Sequence, residues 1–447
     1  MWVKLFCGLV AVVAIILGVA VEWLSVGCHR GIQSPHQFLA TKTPYLHPAQ
    51  LRHHASHDSC TPIQIWMVVR HGTRNPSAKV IRKIINLLPN VRDQIVKAHE
   101  NGVGTLCPSD LDALKKWSPP PSLTESNEKI LVEQGREELR GIGRRFKDRF
   151  QNLLGKKYDN STYKFKFTKT ERAAASCKYF VEQVVGEEDA PSVWYPEALA
   201  ADPILRFYKG CPKWKKTVDK NPEAYNERKK FETSQIFESV RRNVQTRTGS
   251  ADPVPLEAIE GMYMTCAFET AWTPATSSPW CALFDVDDLE KMQYRQDLEY
   301  YWIDGYGFEL TYKQACPAVK DMVEHFKSKT ESPNEGPSLI AYFTHSGTLL
   351  KLISRLGLFN DSTPLLHDNY HLHTTRQWRT NEIDKFATNI AAVLYKCPTD
   401  NFKVGLLFQE LPVSIPECGD DLCPLDKFLS IYHSVLNDCD IPQMCQL

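Results

Sequence analysis

The sequence carries no excess of either charge. Its 53 lysines and arginines equal its 53 aspartates and glutamates, which excludes a nucleic-acid binder held by bulk positive potential and confines any anion-attracting field to a local cluster. Internal repeats and low-complexity tracts are absent too, so solenoid and disordered-scaffold architectures drop out. The one long apolar run, Leu5 to Val21, lies between Lys4 and Glu22. It is long for the core of a signal peptide and short for a membrane span. Gly18-Val19-Ala20 and Ser25-Val26-Gly27 offer small residues for cleavage, so residues 1–27 read as a cleaved signal peptide, with a signal anchor as the alternative. Contact with a membrane is expected only through that segment, or a lipid anchor, if it is not removed. The C-terminus, Gln443 to Leu447, lacks a KDEL-type retention signal. The expected location is the secretory pathway, with secretion or surface display first and the lysosome or ER lumen as alternatives.

Cysteine is plentiful, and its count agrees with an oxidising compartment. Of 14 cysteines, Cys7 lies in the apolar run and leaves 13, an odd number that implies at least one thiol without an intramolecular partner. Cys266/Cys281 and Cys418/Cys423 are natural short-loop bridges. Asn160-Ser161-Thr162 and Asn360-Asp361-Ser362 are glycosylation sequons. His53, His54 and His57 lack carboxylate or cysteine ligands at a fixed spacing, so residues 28–59 read as a polar, mobile leader and no metal site is expected.

Against that background, Ile63 to Val69 is a run of β-branched and apolar residues that reads as a buried strand, and it ends in Arg70-His71-Gly72-Thr73-Arg74-Asn75-Pro76. A phosphate monoester repels a nucleophile, so its site must surround it with fixed donors, and the planar fork of arginine suits phosphate oxygens. Arg70 and Arg74 can supply the forks. His71, kept neutral by the positive charge beside it, can attack phosphorus and hold the phosphoryl group covalently.

Further along, a helix is expected from Ser77 to Leu88, carrying Lys79, and Ser109-Asp110-Leu111-Asp112 has the form of a capping box. Helical spacing runs from Glu128 to Leu154. Tyr163 to Thr168 alternates as a half-buried strand and leads through Arg172 into a helix from Ala173 to about Val185. Residues 186–335 have few strand signals and read as a mainly helical insertion containing the basic run Arg206, Lys209, Lys213, Lys215 and Lys216. Ser338 to Thr344 is another strand, ending at His345 before a helix. Asn389 to Tyr395 and Val404 to Phe408 are expected core segments, and Lys427 to Tyr432 a closing helix. The core then comprises residues 60–185 and 336–435, with 436–447 as a tail.

The signature resembles that of the histidine acid phosphatases (branch 2), the clan that includes phytases. Cys266-Ala267-Phe268-Glu269, Ser278-Pro279-Trp280-Cys281, Phe284 to Asp288, Tyr301-Trp302 with Gly305-Tyr306-Gly307, and Leu422-Cys423-Pro424-Leu425 make the resemblance nearest to the multiple inositol polyphosphate phosphatases. It implies an α/β fold, a mixed sheet flanked by helices, with the helical insertion as a lid over the site. It further implies that Arg172 is a third phosphate ligand, that His345 is a second active-site histidine donating to the phosphoryl group, and that Cys60 pairs with Cys397. Inositol polyphosphates are the implied substrates, with 2,3-bisphosphoglycerate and simpler monoesters as further candidates, and no cofactor or metal is implied. Lys79, Arg206 and Lys209 are candidate contacts to outlying substrate phosphates.

At one position the resemblance fails. The family places its proton donor just after the second histidine, as His-Asp or His-Ala-Glu, where this chain reads His345-Ser346-Gly347, and no Asp or Glu occurs from Gly336 to Asn360. General acid catalysis is worth about 10²–10⁴ in rate, so a slow phosphatase or a polyphosphate-binding pseudoenzyme is expected. A carboxylate from the lid, a water relayed through Ser346 or Thr348, or a proton from a neighbouring substrate phosphate could each stand in. A Gly347→Glu replacement is expected to raise hydrolysis of alkyl phosphates.

Overall fold

Successive side chains of a strand point to opposite faces, and that alternation sets how the chain builds its sheet. β1 (Thr61–Arg70) sends Ile65, Met67 and Val69 into one hydrophobic core and Trp66 and Val68 into another. Both faces are covered, which is why the run is continuously apolar. The computed structural model describes residues 28–447 apart from 30, 33, 47–58, 399–400 and 420. The apolar run of residues 5–21 and His53, His54 and His57 therefore lie outside the described residues.

After β1 come α1 (Glu133–Arg149), β2 (Tyr163–Phe167) and α2 (Glu171–Val185). The side chain of Thr170 caps α2 by accepting from Ala173 N. Among the described residues no strand intervenes between β2 and β3 (Leu339–Thr344), and the intervening helices include Leu256–Trp272, α3 (Val286–Asp304) and Cys316–Glu331. Asp285 and Asp288 form the capping box that starts α3. α4 (Ser346–Arg355), β4 (Asn389–Lys396), β5 (Phe402–Phe408), β6 (Leu411–Val413) and the short β7 (Cys423–Pro424) complete the core.

The strands form one mixed sheet in the order β2-β3-β1-β4-β5-β6, with β7 against β5. β2, β3 and β1 run parallel, whereas the other pairings are antiparallel. Arg70 lies opposite Thr344 and Phe167 opposite Phe343, so the three parallel strands end flush. α1 and α2 cover one face through Leu139, Ile142, Phe146, Phe180 and Val181, and Met262, Leu298, Met322 and Phe326 of the insertion pack on the other. The loops leaving β1, β2 and β3 thus open along one edge, where ligands of parallel sheets bind.

Several local expectations change. The helix from Ser77 does not stop at Leu88 but continues as Ala78–Arg82, Lys83–Leu87 and Leu88–Glu100, because Pro89 falls in the first turn of the last segment, where its missing N–H costs nothing. Ser109 to Asp112 is not a capping box: the helix starts at Pro108, and the Asp110 carboxylate instead accepts from Gly31 N at 2.8 Å. Part of the expected mobile leader is packed, with Phe38, Leu39 and Ala40 buried, Tyr263 donating to the Phe38 carbonyl at 2.8 Å and Cys28 bonded to Cys107. The tail contains a helix, Ile441–Cys445, fastened by Cys211–Cys445 and, just before it, Cys316–Cys439. Cys60–Cys397, Cys266–Cys281 and Cys418–Cys423 are also bridged, and Cys177 is a free, buried thiol.

Candidate active site

Flush strand ends bring distant residues together. His71, one residue beyond β1, donates its amide to the Thr344 carbonyl at 3.0 Å, and Thr168, one residue beyond β2, donates to the Phe343 carbonyl at 3.1 Å. His345 follows β3. The rings of His71 and His345 come to a centroid separation of 5.5 Å.

Nδ1 of His71 lies 2.9 Å from the Gly72 carbonyl oxygen. A carbonyl only accepts, so Nδ1 carries the ring hydrogen and Nε2 keeps its lone pair. Gly72 is required sterically: a Cβ there would sit 2.4 Å from the Gly135 carbonyl at the start of α1. Beneath the loop, Glu138 accepts from Thr73 N, Thr73 Oγ1 and Tyr45 N at 2.7, 2.7 and 3.0 Å, and burial raises its carboxyl to about 7. His345 is fixed from both sides. Arg172 Nη2 is 3.3 Å from Nδ1, and Thr168 Oγ1 is 2.9 Å from Nε2. Arginine only donates, so in this arrangement Nε2 carries the hydrogen and Thr168 accepts it.

The electrostatics are those of an anion site. Burial, then Arg172, Arg74, Arg70 and His345, hold His71 well below the usual imidazole range. Burial, then Arg172, Arg206, Arg74 and Arg70, lower His345 to about 2, so both rings are neutral. Burial and neighbouring arginines push Arg74 down to about 9 and Arg172 to about 10, values at which both remain cationic at neutral and acid pH. Nε of Arg70, Arg74, Arg172 and Arg206 is buried without a partner among the described residues. Guanidinium donors crowded on one another, with acceptors in short supply, suit a dianion with several oxygens.

The structure therefore gathers Arg70, His71, Arg74, Arg172 and His345 at one place and adds Arg206 from the insertion. Lys209 is exposed and its ammonium lies 5.7 Å from the Tyr208 ring centroid, while Lys79 is exposed on the first turn of its helix. The sequence reading missed Lys42, a buried lysine that burial, Arg74 and Arg70 push down to about 7. It also missed Asp384, whose Oδ1 lies 3.3 Å from Arg70 Nη1 and whose other oxygen accepts from Ser346 Oγ; burial outweighs these partners and raises it to about 7. Lys42 lies in a stretch with no periodicity, and Asp384 between the helical signal after His345 and the apolar segment that starts at Asn389. Neither carried a local mark.

Comparison with known proteins bears on the whole chain. The sequence profile of the histidine phosphatase superfamily (branch 2) matches residues 63–409. The chain is 32% identical over 391 residues to multiple inositol polyphosphate phosphatase 1 of Drosophila melanogaster, covering 85% of this chain and 81% of that protein. It is 26% identical to the Homo sapiens protein of the same name over 407 residues, covering 87% and 82%. Among solved structures, the phytase from D. castellii superposes with a TM-score of 0.76 over 92% of this chain and 87% of its own, and Bifidobacterium longum multiple inositol polyphosphate phosphatase in complex with inositol hexasulfate with 0.69 over 92% and 100%. At 15% identity each, these two likenesses speak to the fold.

Proposed function

The chain belongs to the histidine phosphatase superfamily (branch 2), and on that premise we propose that it removes phosphate from inositol polyphosphates through a phosphohistidine formed on His71. The observation that carries the reading is the tautomer of His71: its hydrogen is committed to Gly72 on Nδ1, so the lone pair of Nε2 belongs to a ring surrounded by Arg70, Arg74 and Arg172. Nε2 attacks phosphorus, the arginines hold the charge on the equatorial oxygens, and water hydrolyses the N–P bond in a second step. His345 joins them once Thr168 Oγ1 donates to Nε2 and the ring proton moves to Nδ1, next to Arg172. The relatives named for inositol polyphosphates support the substrate class. Arg206 gives the site further positive charge suited to a ligand with several phosphates.

Release of inorganic phosphate from inositol hexakisphosphate and from p-nitrophenyl phosphate tests the reading. Turnover of both supports it. Gly347 favours a second reading, a polyphosphate-binding pseudoenzyme, which predicts tight binding of inositol hexakisphosphate with release from neither compound.

Passage through the secretory pathway belongs to the same proposal. Six disulfides among the described residues support it, as does the exposure of Asn160 and Asn360. A gain in electrophoretic mobility on endoglycosidase treatment of the cellular protein is the check.

A further inference from the structure

Position 347, where a carboxylate was expected and glycine stands, lies in the first turn of α4, two residues after His345. A Cβ built on Gly347 would meet Asp304 Oδ1 at 3.2 Å and Asp304 Cγ at 3.7 Å. A side chain growing from 347 would therefore run directly into a carboxylate already present. We propose that Asp304, the last residue of α3 in the insertion, supplies the leaving-group proton from the space that a longer side chain at 347 would fill. The inference rests on the phosphatase reading above.

What surrounds Asp304 fixes it there. Its Oδ1 accepts from Lys351 Nζ, which lies one helical turn beyond Gly347 and is fully buried. The Lys351 ammonium also lies over the rings of Tyr208, at 4.8 Å, and Trp214, at 4.4 Å, and so does not leave this position easily. Gly305 makes the turn possible: a Cβ there would lie 2.5 Å from the Trp378 ring. Oδ2 of Asp304 has no partner among the described residues. The carboxylate also lies within electrostatic reach of Tyr208, which is bonded to Arg206, and of Asp384, which pairs with Arg70.

The other stand-ins fit less well. Thr348 Oγ1 is committed to the Leu205 carbonyl at 2.5 Å and to Thr344 Oγ1 at 2.9 Å. Ser346 Oγ points at Asp384, but that carboxyl is fully buried and its residue is fastened to Arg70 through the backbone carbonyl as well. Asp304 remains, with its side chain 15% exposed.

The step balances. Nε2 of His71 forms a bond to phosphorus as the ester P–O bond breaks, and the departing alkoxide takes the proton held by the Asp304–Lys351 ion pair, passed from the Lys351 ammonium through the Asp304 carboxylate. Asp304 is left as a carboxylate beside a neutral Lys351 amine. Water then attacks the phosphohistidine and returns a proton to the pair, the N–P bond breaks, and inorganic phosphate leaves.

The experiment compares Asp304→Asn, Asp304→Asn/Gly347→Glu and Ser346→Ala on inositol hexakisphosphate, whose alkoxide needs a proton, and on p-nitrophenyl phosphate, whose phenolate needs little help. Asp304→Asn should lower kcat about 10²–10³-fold on the first and less than about tenfold on the second. In the double variant the carboxylate introduced at position 347 lies i,i+4 before Lys351, the favourable order for that pair, and at least about tenfold of the lost activity should return. Equal losses on both substrates, no loss, no rescue in a variant that still melts cooperatively, or the same split in Ser346→Ala but not in Asp304→Asn would each overturn the assignment. A wild-type protein inert to both substrates would overturn the phosphatase reading itself, and this one with it.

Discussion

Glu138 accepts both the backbone amide and the hydroxyl of Thr73, each at 2.7 Å. One buried carboxylate on α1 thus holds the loop that carries His71 and Arg74. Replacing it with alanine leaves those two donors and the Tyr45 amide unpaired, at a cost of about 1–3 kcal/mol each for the groups that stay buried. Glu138→Ala should lower the urea midpoint and reduce p-nitrophenyl phosphate hydrolysis at least tenfold, whereas Glu138→Gln, which keeps one acceptor oxygen, should fall between it and wild type.

Quenching in alkali during turnover of labelled substrate should trap a phosphoryl group that is stable to base and labile to acid, on the peptide containing His71. His71→Ala should abolish both labelling and turnover. Arg172→Ala should retain some labelling with kcat reduced about 10²–10³-fold, the size of a lost charge-stabilising donor.

Acid should weaken the ligand-free protein through His345. Its pKa is lowered from 6.5 to about 2, so the unfolded chain takes up a proton below pH 6.5 that the folded one refuses. The stability is complete above pH 6.5 and is lost as the pH falls, by roughly 2–3 kcal/mol at pH 4.5. Relative to wild type, His345→Asn should therefore gain stability between pH 6.5 and 4.5 in chemical denaturation. Sulfate, a dianion throughout that range, should favour the protonated ring and raise the wild-type melting temperature more at pH 5 than at pH 7.5.

Thiol titration of the unreduced protein in denaturant should find Cys177, which is the free cysteine among the described residues, together with Cys7 if residues 1–27 are retained. One thiol per chain would indicate removal of that segment and two its retention. The native protein should leave Cys177 unreacted, because it is fully buried and burial holds its thiol well above the usual range.

Gly347→Glu in the otherwise unchanged protein should fail to raise hydrolysis of inositol hexakisphosphate. The new carboxylate would meet Asp304 Oδ1, and two carboxylates sharing one ammonium repel. A gain in the single variant would show that the space is free.

Legibility in the sequence followed locality. β1 and β3 are readable as apolar runs and β2 as an alternating one, each ending in charged or polar residues, while the roles of Arg172 and His345 come from the resemblance. α1 was readable from Leu139, Ile142 and Phe146, spaced to cover one face. The helix after the signature was read too short because a proline near its middle, Pro89, opens a new segment instead of ending one. Asp304, Asp384 and Lys42 could not be found this way. Each is an ordinary residue of a helix end or loop, and only the three-dimensional closure of the chain sets it against Gly347, Arg70 or Arg74. The substitution at 347 was visible, but the carboxylate filling its place lay 43 residues earlier, beyond the reach of any spacing rule.

Cys211, in the insertion, is bonded to Cys445, and Cys316, also in the insertion, to Cys439, while Asp304 and Lys351 join the insertion to α4. With Cys439 and Cys445 in the tail and Lys351 in α4, the insertion is tied at three points and resists swinging as a free flap. Bulky, highly charged ligands then meet a shape that those ties hold in advance.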